Sequence, residues 1–282
     1  MQSDATTSGP SLFYRLRHTD ARRLAVALFN RLWPARPALG PAVLAASDTK
    51  VCLEIGGPSR VFMRGSILPV YPQAARVDNV NFAGRTAWES GLRDGGDFVF
   101  DAKRPPGRQF IREATALQGI ADGAYDMILS SHCLEHAANP LAALREWRRV
   151  VRPGGHLVLL LPDPSRTFDH RRPLTTLAHL REDCSRSTGE DDLTHLDEIL
   201  ALHDLGRDPW AGAPADFRAR SLRNAENRCL HHHVFDIALM RAMLEECGWI
   251  ATGAETVRPL HLLALARRPG PGKKPSPPAP AV

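Results

Sequence analysis

The stretch from Ala124 to Asp163 constrains the fold of this chain more than any other. Met127–Leu129 is a short apolar run ending in polar Ser130, Ser131 and His132, as a buried strand does at its functional edge. Asn139 followed by Pro140 marks a helix start: a capping side chain, then a residue whose fixed φ suits the first turn. Leu141, Leu144, Trp147 and Val151 recur at helical spacing, whereas Arg145, Glu146, Arg148, Arg149 and Arg152 fall on other faces. Pro153-Gly154-Gly155 stops the helix, and Leu157–Leu161 is apolar on both faces, as an interior parallel strand must be. A strand–helix–strand crossover of this kind builds an open α/β sheet.

Several short motifs lie along this unit in a fixed order. Tyr125-Asp126, Ser131-His132-Cys133-Leu134-Glu135-His136, Asn139-Pro140 and Arg149-Val150-Val151-Arg152-Pro153-Gly154-Gly155 together resemble the second half of a class I S-adenosylmethionine (SAM)-dependent methyltransferase. The flavour is the small-molecule type with Leu-Glu-His after its fourth strand. The resemblance runs from about Lys50 to Pro162 and resumes more loosely near Phe235. It implies an α/β fold: a Rossmann-like seven-stranded methyltransferase sheet with helices on both faces and a mostly helical insertion after strand five. At the level of fold it also suggests a bacterial subgroup tied to cell-surface polysaccharide assembly.

The rest of the chain divides around that core. Residues 1–47 read as an N-terminal extension in which Ser11–Trp33 is a basic amphipathic helix. Such a helix either lies on an anionic membrane surface or packs on the domain, and Pro34, Pro37 and Gly40-Pro41 end it. Residues 48–267 form the methyltransferase domain, within which 163–232 is the insertion, an acceptor lid rich in His, Asp and Arg. Asp191–Asp204 and Phe217–Leu230 read as helices there, and Trp88-Glu89 suggests a short helix earlier in the chain. Asp236 caps a helix over Ile237–Cys247 that Gly248 stops; Trp249–Val257 and His261–Arg267 then make an antiparallel pair of strands. The Pro-rich tail, 268–282, has no means of burying itself.

The first strand, Val51–Ile55, runs directly into Gly56-Gly57-Pro58. A backbone without Cβ lets an adenosyl group approach closely, and a following helix N-terminus supplies N–H donors to a carboxylate. The resemblance places Glu54, Gly56 and Gly57 in the cofactor loop, although Pro58 and Arg60 stand where further glycines are usual. Arg76–Val80 is the second strand, whose Asp78, with Asn79 beside it, is suited to accept both ribose hydroxyl protons; the other reading is a solvated strand-end aspartate. By the resemblance, Glu113 accepts from the adenine amino group, Ala114 leaves room for the ring, and Ser130 and Ser131 floor the pocket.

SAM carries an already activated methyl, so the protein needs no nucleophile, only an aligned acceptor, exclusion of water and, for a hydroxyl acceptor, a base. His132 and His136 follow the fourth strand and are the first candidates for that base; Asp163 and His170, with Asp169 and His231-His232-His233, come next. The lid's carboxylates also suit a Mg²⁺ ion held jointly with acceptor hydroxyls, whereas no His or Cys spacing matches a tight zinc site. The function expected is SAM-dependent O-methylation of a small molecule or glycan precursor. The alternatives are a methyltransferase-like binding module without catalysis, which Pro58 permits, and metal-assisted chemistry in the lid.

A net charge of +5 with 43% hydrophobic residues describes an ordinary globular chain, and no aromatic–basic platform points to nucleic acid. Five scattered cysteines without a Cys-x-x-Cys pair suit a reducing cytoplasm. No apolar run is long enough to span a bilayer, so the only membrane contact expected is peripheral, through the N-terminal helix. The oligomeric state is not legible.

Overall fold

A computed structural model describes residues 35–270. The amphipathic segment 11–33 and the tail beyond 270 lie outside the described residues. The first helix of the described residues, α1 (Gly40–Ser47), begins where the sequence reads as a break. Pro41 sits in its first turn, where the missing N–H costs nothing.

Eight strands form one sheet among the described residues: β1 (Val51–Ile55), β2 (Arg76–Asn81), β3 (Asp97–Phe98), β4 (Gly107–Ile111), β5 (Tyr125–Ser131), β6 (Val151–Pro162), β7 (Ile250–Val257) and β8 (His261–Arg267). Their order is β3-β4-β2-β1-β5-β6-β8-β7. β4, β2, β1, β5 and β6 run parallel, and β8 enters antiparallel between β6 and β7. Seven strands match the expected sheet; the eighth, β3, is a two-residue antiparallel edge against β4.

Alternating side chains divide the core into two layers, because successive residues of a strand face opposite sides. Leu53, Ile55, Ile128, Leu157, Leu159 and Leu161 face α2 (Pro140–Val150) and α7 (Ile237–Glu246). Cys52, Met127, Leu129, Val158 and Leu160 face Val43 of α1 together with Phe62 and Tyr71. The second layer is built by α1 and an irregular segment, with only a one-turn 3-10 helix (Arg60–Phe62) between β1 and β2. The expected α-helix N-terminus behind the glycine loop is therefore replaced by that turn.

α2 forms as its sequence pattern requires. Asn139 Oδ1 accepts from Ala142 N at 3.0 Å, and Leu141, Leu144, Trp147 and Val150 make the buried stripe. Val151 ends the helix and opens β6, two residues before the Pro-Gly-Gly break. The Arg268 guanidinium donates to the carbonyls of Arg148, Arg149 and Val151, satisfying the helix C-terminus from just beyond the last strand. Trp147 is wholly buried and donates through Nε1 to Ala114 O at 2.9 Å, fastening α2 under the loop that follows β4.

The lid is helical but more broken than the sequence pattern implies. It contains α3 (Leu177–Arg186), α4 (Leu196–Leu202), α5 (Pro214–Ser221) and a single turn, α6 (Asn224–Asn227). The acidic segment from Asp191 is helical only from Leu196, and the helix expected over Phe217–Leu230 is interrupted at Ser221 and over by Asn227. Trp88-Glu89 is a turn closed by an Arg85–Ser90 bridge, not a helix. No helix of the described residues is long and apolar enough to cross a membrane.

Candidate active site

The chain leaves β1 toward β2 on one side, and leaves β5 toward β6 on the other. Between adjacent strands whose connections diverge, the loops part and leave a crevice at the carboxyl edge. A cleft of about 440 Å³ opens there. Its floor is Gly56–Ser59 after β1, and its walls are Asn81 and Phe82 after β2, Arg112–Ala114 after β4 and Ser131–Cys133 with His136 after β5. Trp88 and Glu89 border its mouth, Glu190 and Arg228 reach it from the lid, and His261 closes it from β8.

The glycine loop is held by a closed polar network. Gly56 N donates to Val80 O at 2.8 Å, and Gly57 N donates to Asn79 Oδ1 at 3.0 Å. Asn79 Nδ2 returns a bond to Gly57 O at 3.1 Å, and Ser59 N donates to Glu54 Oε1 at 3.1 Å. Tyr71 OH donates to the other Glu54 oxygen at 2.5 Å. A Cβ on Gly57 would lie 2.3 Å from the Glu54 carboxyl, and one on Gly56 would lie 2.9 Å from Cys133 Sγ. Gly56 also has φ +83°, a left-handed conformation that favours glycine. Both positions keep the backbone bare where the floor must be thin. Pro58 lines the cleft without filling it.

Of the residues expected to hold the cofactor, Gly56, Gly57, Glu113, Ala114 and Ser131 line the cleft. The others do not. Glu54 is fully buried beneath the loop, where burial pushes its pKa up to about 7, and it supports the loop rather than facing a ligand. Asn79 lies under the same loop, bonded to both Gly57 and Gln109. Ser130 is fully buried and absent from the lining. Asp78 sits toward the amino end of β2, accepting from Arg108 N and Tyr125 OH beside the starts of β4 and β5. It opens on a different hollow, at the opposite edge of the sheet. β2 extends one residue further than its apolar pattern suggests, so the side chain at its carboxyl edge is Asn81.

The expected bases separate in the same way. His132 and His136 line the cleft; Asp163 and His170 do not. Asp163 caps the turn Pro164–Arg166 by accepting from Ser165 N, and His170 pairs with Asp204 at 2.9 Å. His132 is held at φ +51°, with Nε2 2.7 Å from His261 Nδ1. Burial lowers His132 to about 3 and His261 to about 4, so both rings are neutral. His136 Nδ1 lies 3.0 Å from the Leu230 carbonyl, which assigns the proton to Nδ1 and leaves the Nε2 lone pair available. Burial, then the neighbouring His231, hold its pKa well below the usual imidazole value.

Glu135, beneath these rings, is fully buried with neither carboxylate oxygen hydrogen-bonded, and burial raises it to about 7. Glu135, His136 and His231 each offer a ligand atom within 4.8 Å of the others. His231 is anchored by Asp169 at 2.5 Å; burial alone would lower its pKa, but that carboxylate outweighs it and the pKa is raised. The lid aspartates Asp169, Asp191, Asp192 and Asp204 do not line the cleft.

Glu113 is paired with Arg228 at 2.6 Å, and Arg228 also lies 3.7 Å from Glu190, a latch between core and lid. Glu190 Oε1 accepts from Ala138 N at 3.1 Å, and burial raises Glu190 to about 7. Asn81, Glu190 and His261 escape sequence reasoning. Asn81 needed the strand to be extended by one residue, while the other two come from segments whose distance along the chain gives no signal.

The sheet order, the antiparallel β8 between β6 and β7, and the cleft at the switch point define a Rossmann-like methyltransferase fold. Residues 99–159 match the family model described as a methyltransferase domain. The chain is 32% identical over 87 residues to the malonyl-[acyl-carrier protein] O-methyltransferase of Laribacter hongkongensis, 31% of this chain and 25% of that protein. It is 50% identical over 44 residues to polyketide synthase 19 of Gibberella fujikuroi, 15% of this chain and 2% of that one. The chain thus spans a quarter or less of the curated relatives it matches. Among solved structures, a SAM-dependent methyltransferase from Mesorhizobium loti aligns at 14% identity and TM-score 0.48, over 82% of this chain and 98% of that one.

Proposed function

We propose that the protein is a SAM-dependent methyltransferase that methylates an oxygen of a small-molecule or glycan-precursor acceptor. The observation that carries this reading is the bare Gly56-Gly57 floor at the switch point, facing a wall of neutral histidines across a cleft of about 440 Å³. That volume is within the range of small-molecule sites. The residues fit SAM: Gly56 and Gly57 give its amino-acid end a close approach, Asn81 braces the loop from the edge of β2, and Ala114 leaves space for a flat ring. Ser131 borders the same space.

When bound, SAM supplies a sulfonium-activated methyl, so the protein contributes alignment, dryness and a proton acceptor. His136 is the base this reading favours. It is neutral, its Nδ1 proton is committed to Leu230 O, and its Nε2 is free to take the acceptor's hydroxyl proton. His132, bonded to His261, shapes the wall instead. The Trp88 ring lies 5.2 Å from His136 and is 61% exposed at the mouth, an apolar platform on which a ring-shaped acceptor can rest. Glu89, Glu190 and Arg112 supply polar groups around it.

The test is methyl transfer from labelled SAM to a panel of sugar nucleotides, polyprenyl-linked glycans and phenols. This reading expects label on an acceptor oxygen together with S-adenosylhomocysteine. SAM binding without transfer to any of them, or transfer to nitrogen or carbon, contradicts the O-methylation reading.

A further inference from the structure

Outside the cleft, three histidines gather in and beside the lid with an aspartate next to them. His179 and Asp183 are one helical turn apart on α3, His195 immediately precedes α4, and His233 lies on the segment leading into α7. His179 Nε2 is 2.9 Å from His195 Nε2 and 3.2 Å from Asp183 Oδ2. His233 Nε2 is 3.7 Å from the same carboxylate oxygen. One ligand atom from each of the three histidines lies within 4.8 Å of the others.

Hydrogen bonding alone leaves this cluster unsatisfied. His179 Nε2 carries at most one proton and lies within reach of both His195 Nε2 and Asp183 Oδ2. Asp183 Oδ2 and His233 Nδ1 are both buried without a hydrogen-bond partner. Two buried acceptor atoms without donors, beside a close pair of imidazole nitrogens, are what a cation satisfies. A tetrahedral ion with metal–nitrogen distances of 2.0–2.1 Å separates its ligand atoms by about 3.3 Å. The His179–His195 and His179–Asp183 separations of 2.9 and 3.2 Å lie close to that edge, and Nδ1 is the nitrogen of His233 left open for the ion.

We infer that His179, Asp183, His195 and His233 form a structural zinc site that pins the lid. Three imidazoles with one carboxylate are borderline nitrogen and oxygen donors, which suit Zn²⁺ better than Mg²⁺ or Ca²⁺. Four protein ligands fill the tetrahedron, so the ion holds structure and does no chemistry. Neighbours orient the ligands: Thr188 Oγ1 donates to Asp183 Oδ1 at 3.3 Å, and His233 Nε2 lies 3.2 Å from Ala138 O. The ligands come from three separate elements, so no compact spacing betrays them in the sequence. Two of them, Asp183 and His195, bracket the loop that carries Glu190 into the cleft. The site thereby fixes a wall of the pocket without touching it.

The full-length chain, purified without a histidine tag, is stripped with chelator and titrated with Zn²⁺ and with Co²⁺. One equivalent of either metal, the intense visible absorption of four-coordinate cobalt and a higher melting temperature on zinc addition are expected. The His179→Ala/His195→Ala double variant, its fold checked by circular dichroism, loses all three responses, whereas Glu135→Gln keeps them. No stoichiometric metal in the wild type overturns the inference. So does a cobalt spectrum that survives the double variant but is lost in Glu135→Gln, since the ion then sits at Glu135, His136 and His231. If the double variant does not fold, the wild-type cobalt spectrum and its response to Glu135→Gln decide alone.

Discussion

The two walls of the cleft are built on opposite principles. On the side of β1 and β2, every polar group around the glycine loop is answered: Glu54 by Ser59 and Tyr71, Asn79 by Gly57, Asn81 and Gln109. On the lid side, a buried oxygen of Glu190 at the cleft, and behind that wall atoms of Glu135, Asp183 and His233, are left without partners. A satisfied network is rigid and pre-formed, whereas orphaned buried groups carry a desolvation cost until something fills the gap. The first wall is thus a floor that exists before any ligand arrives. The second is a set of lone pairs awaiting an acceptor, a proton or a metal.

The largest effect that sharpens this contrast falls on the lid-facing base. His136→Asn should slow methyl transfer by about 10²–10⁴-fold with little change in SAM affinity, measured by single-turnover kinetics beside calorimetry. In the wild type, the rate should stay flat as pH falls through 6.5, because His136 titrates well below that value.

On the floor, the pH dependence of stability tests the buried carboxyl. Glu54 has its folded pKa raised to about 7 from 4.5, so the folded state holds a proton that the unfolded state releases. Its contribution is fully present below pH 4.5 and is lost as pH rises through 7, at most about 3 kcal/mol. Glu54→Gln should flatten that part of a denaturation profile, while Glu135 and Glu190, also raised to about 7, keep their share. An unchanged slope would show that Glu54 is ionised under the loop.

Gly57→Ala pushes a Cβ to within 2.3 Å of the Glu54 carboxyl. A cost of about 1–3 kcal/mol in stability is expected, together with weakened SAM binding, because the loop must lift. The smallest effect belongs to the latch: Arg228→Gln, which breaks the pair with half-exposed Glu113, should cost about 0.2–1 kcal/mol and be largely masked by high salt.

The floor was legible in the sequence because its signals are local. Gly56-Gly57 after an apolar run, the Asn139 cap and the Trp147 stripe each act within a few residues. Asp78 misled because a strand rises about 3.3 Å per residue, so three positions short of Asn81 is about 10 Å from the edge. Nothing in a short apolar run says where its last residue falls. In the lid, helices were legible in outline, but its site residues only as composition. Its many histidines and aspartates stood out, but which of them meet depends on the packing of α3, α4 and the 231–235 segment. That packing set Glu190 beside the cleft and sent Asp163 and His170 to structural tasks.

Calorimetric titration of the wild-type chain with S-adenosylhomocysteine and with SAM tests the central claim most directly. A pre-formed floor at Gly56-Gly57 predicts one site for each ligand, and weaker binding of both in Gly57→Ala. Heat from neither ligand, in a protein whose fold is intact, would contradict it.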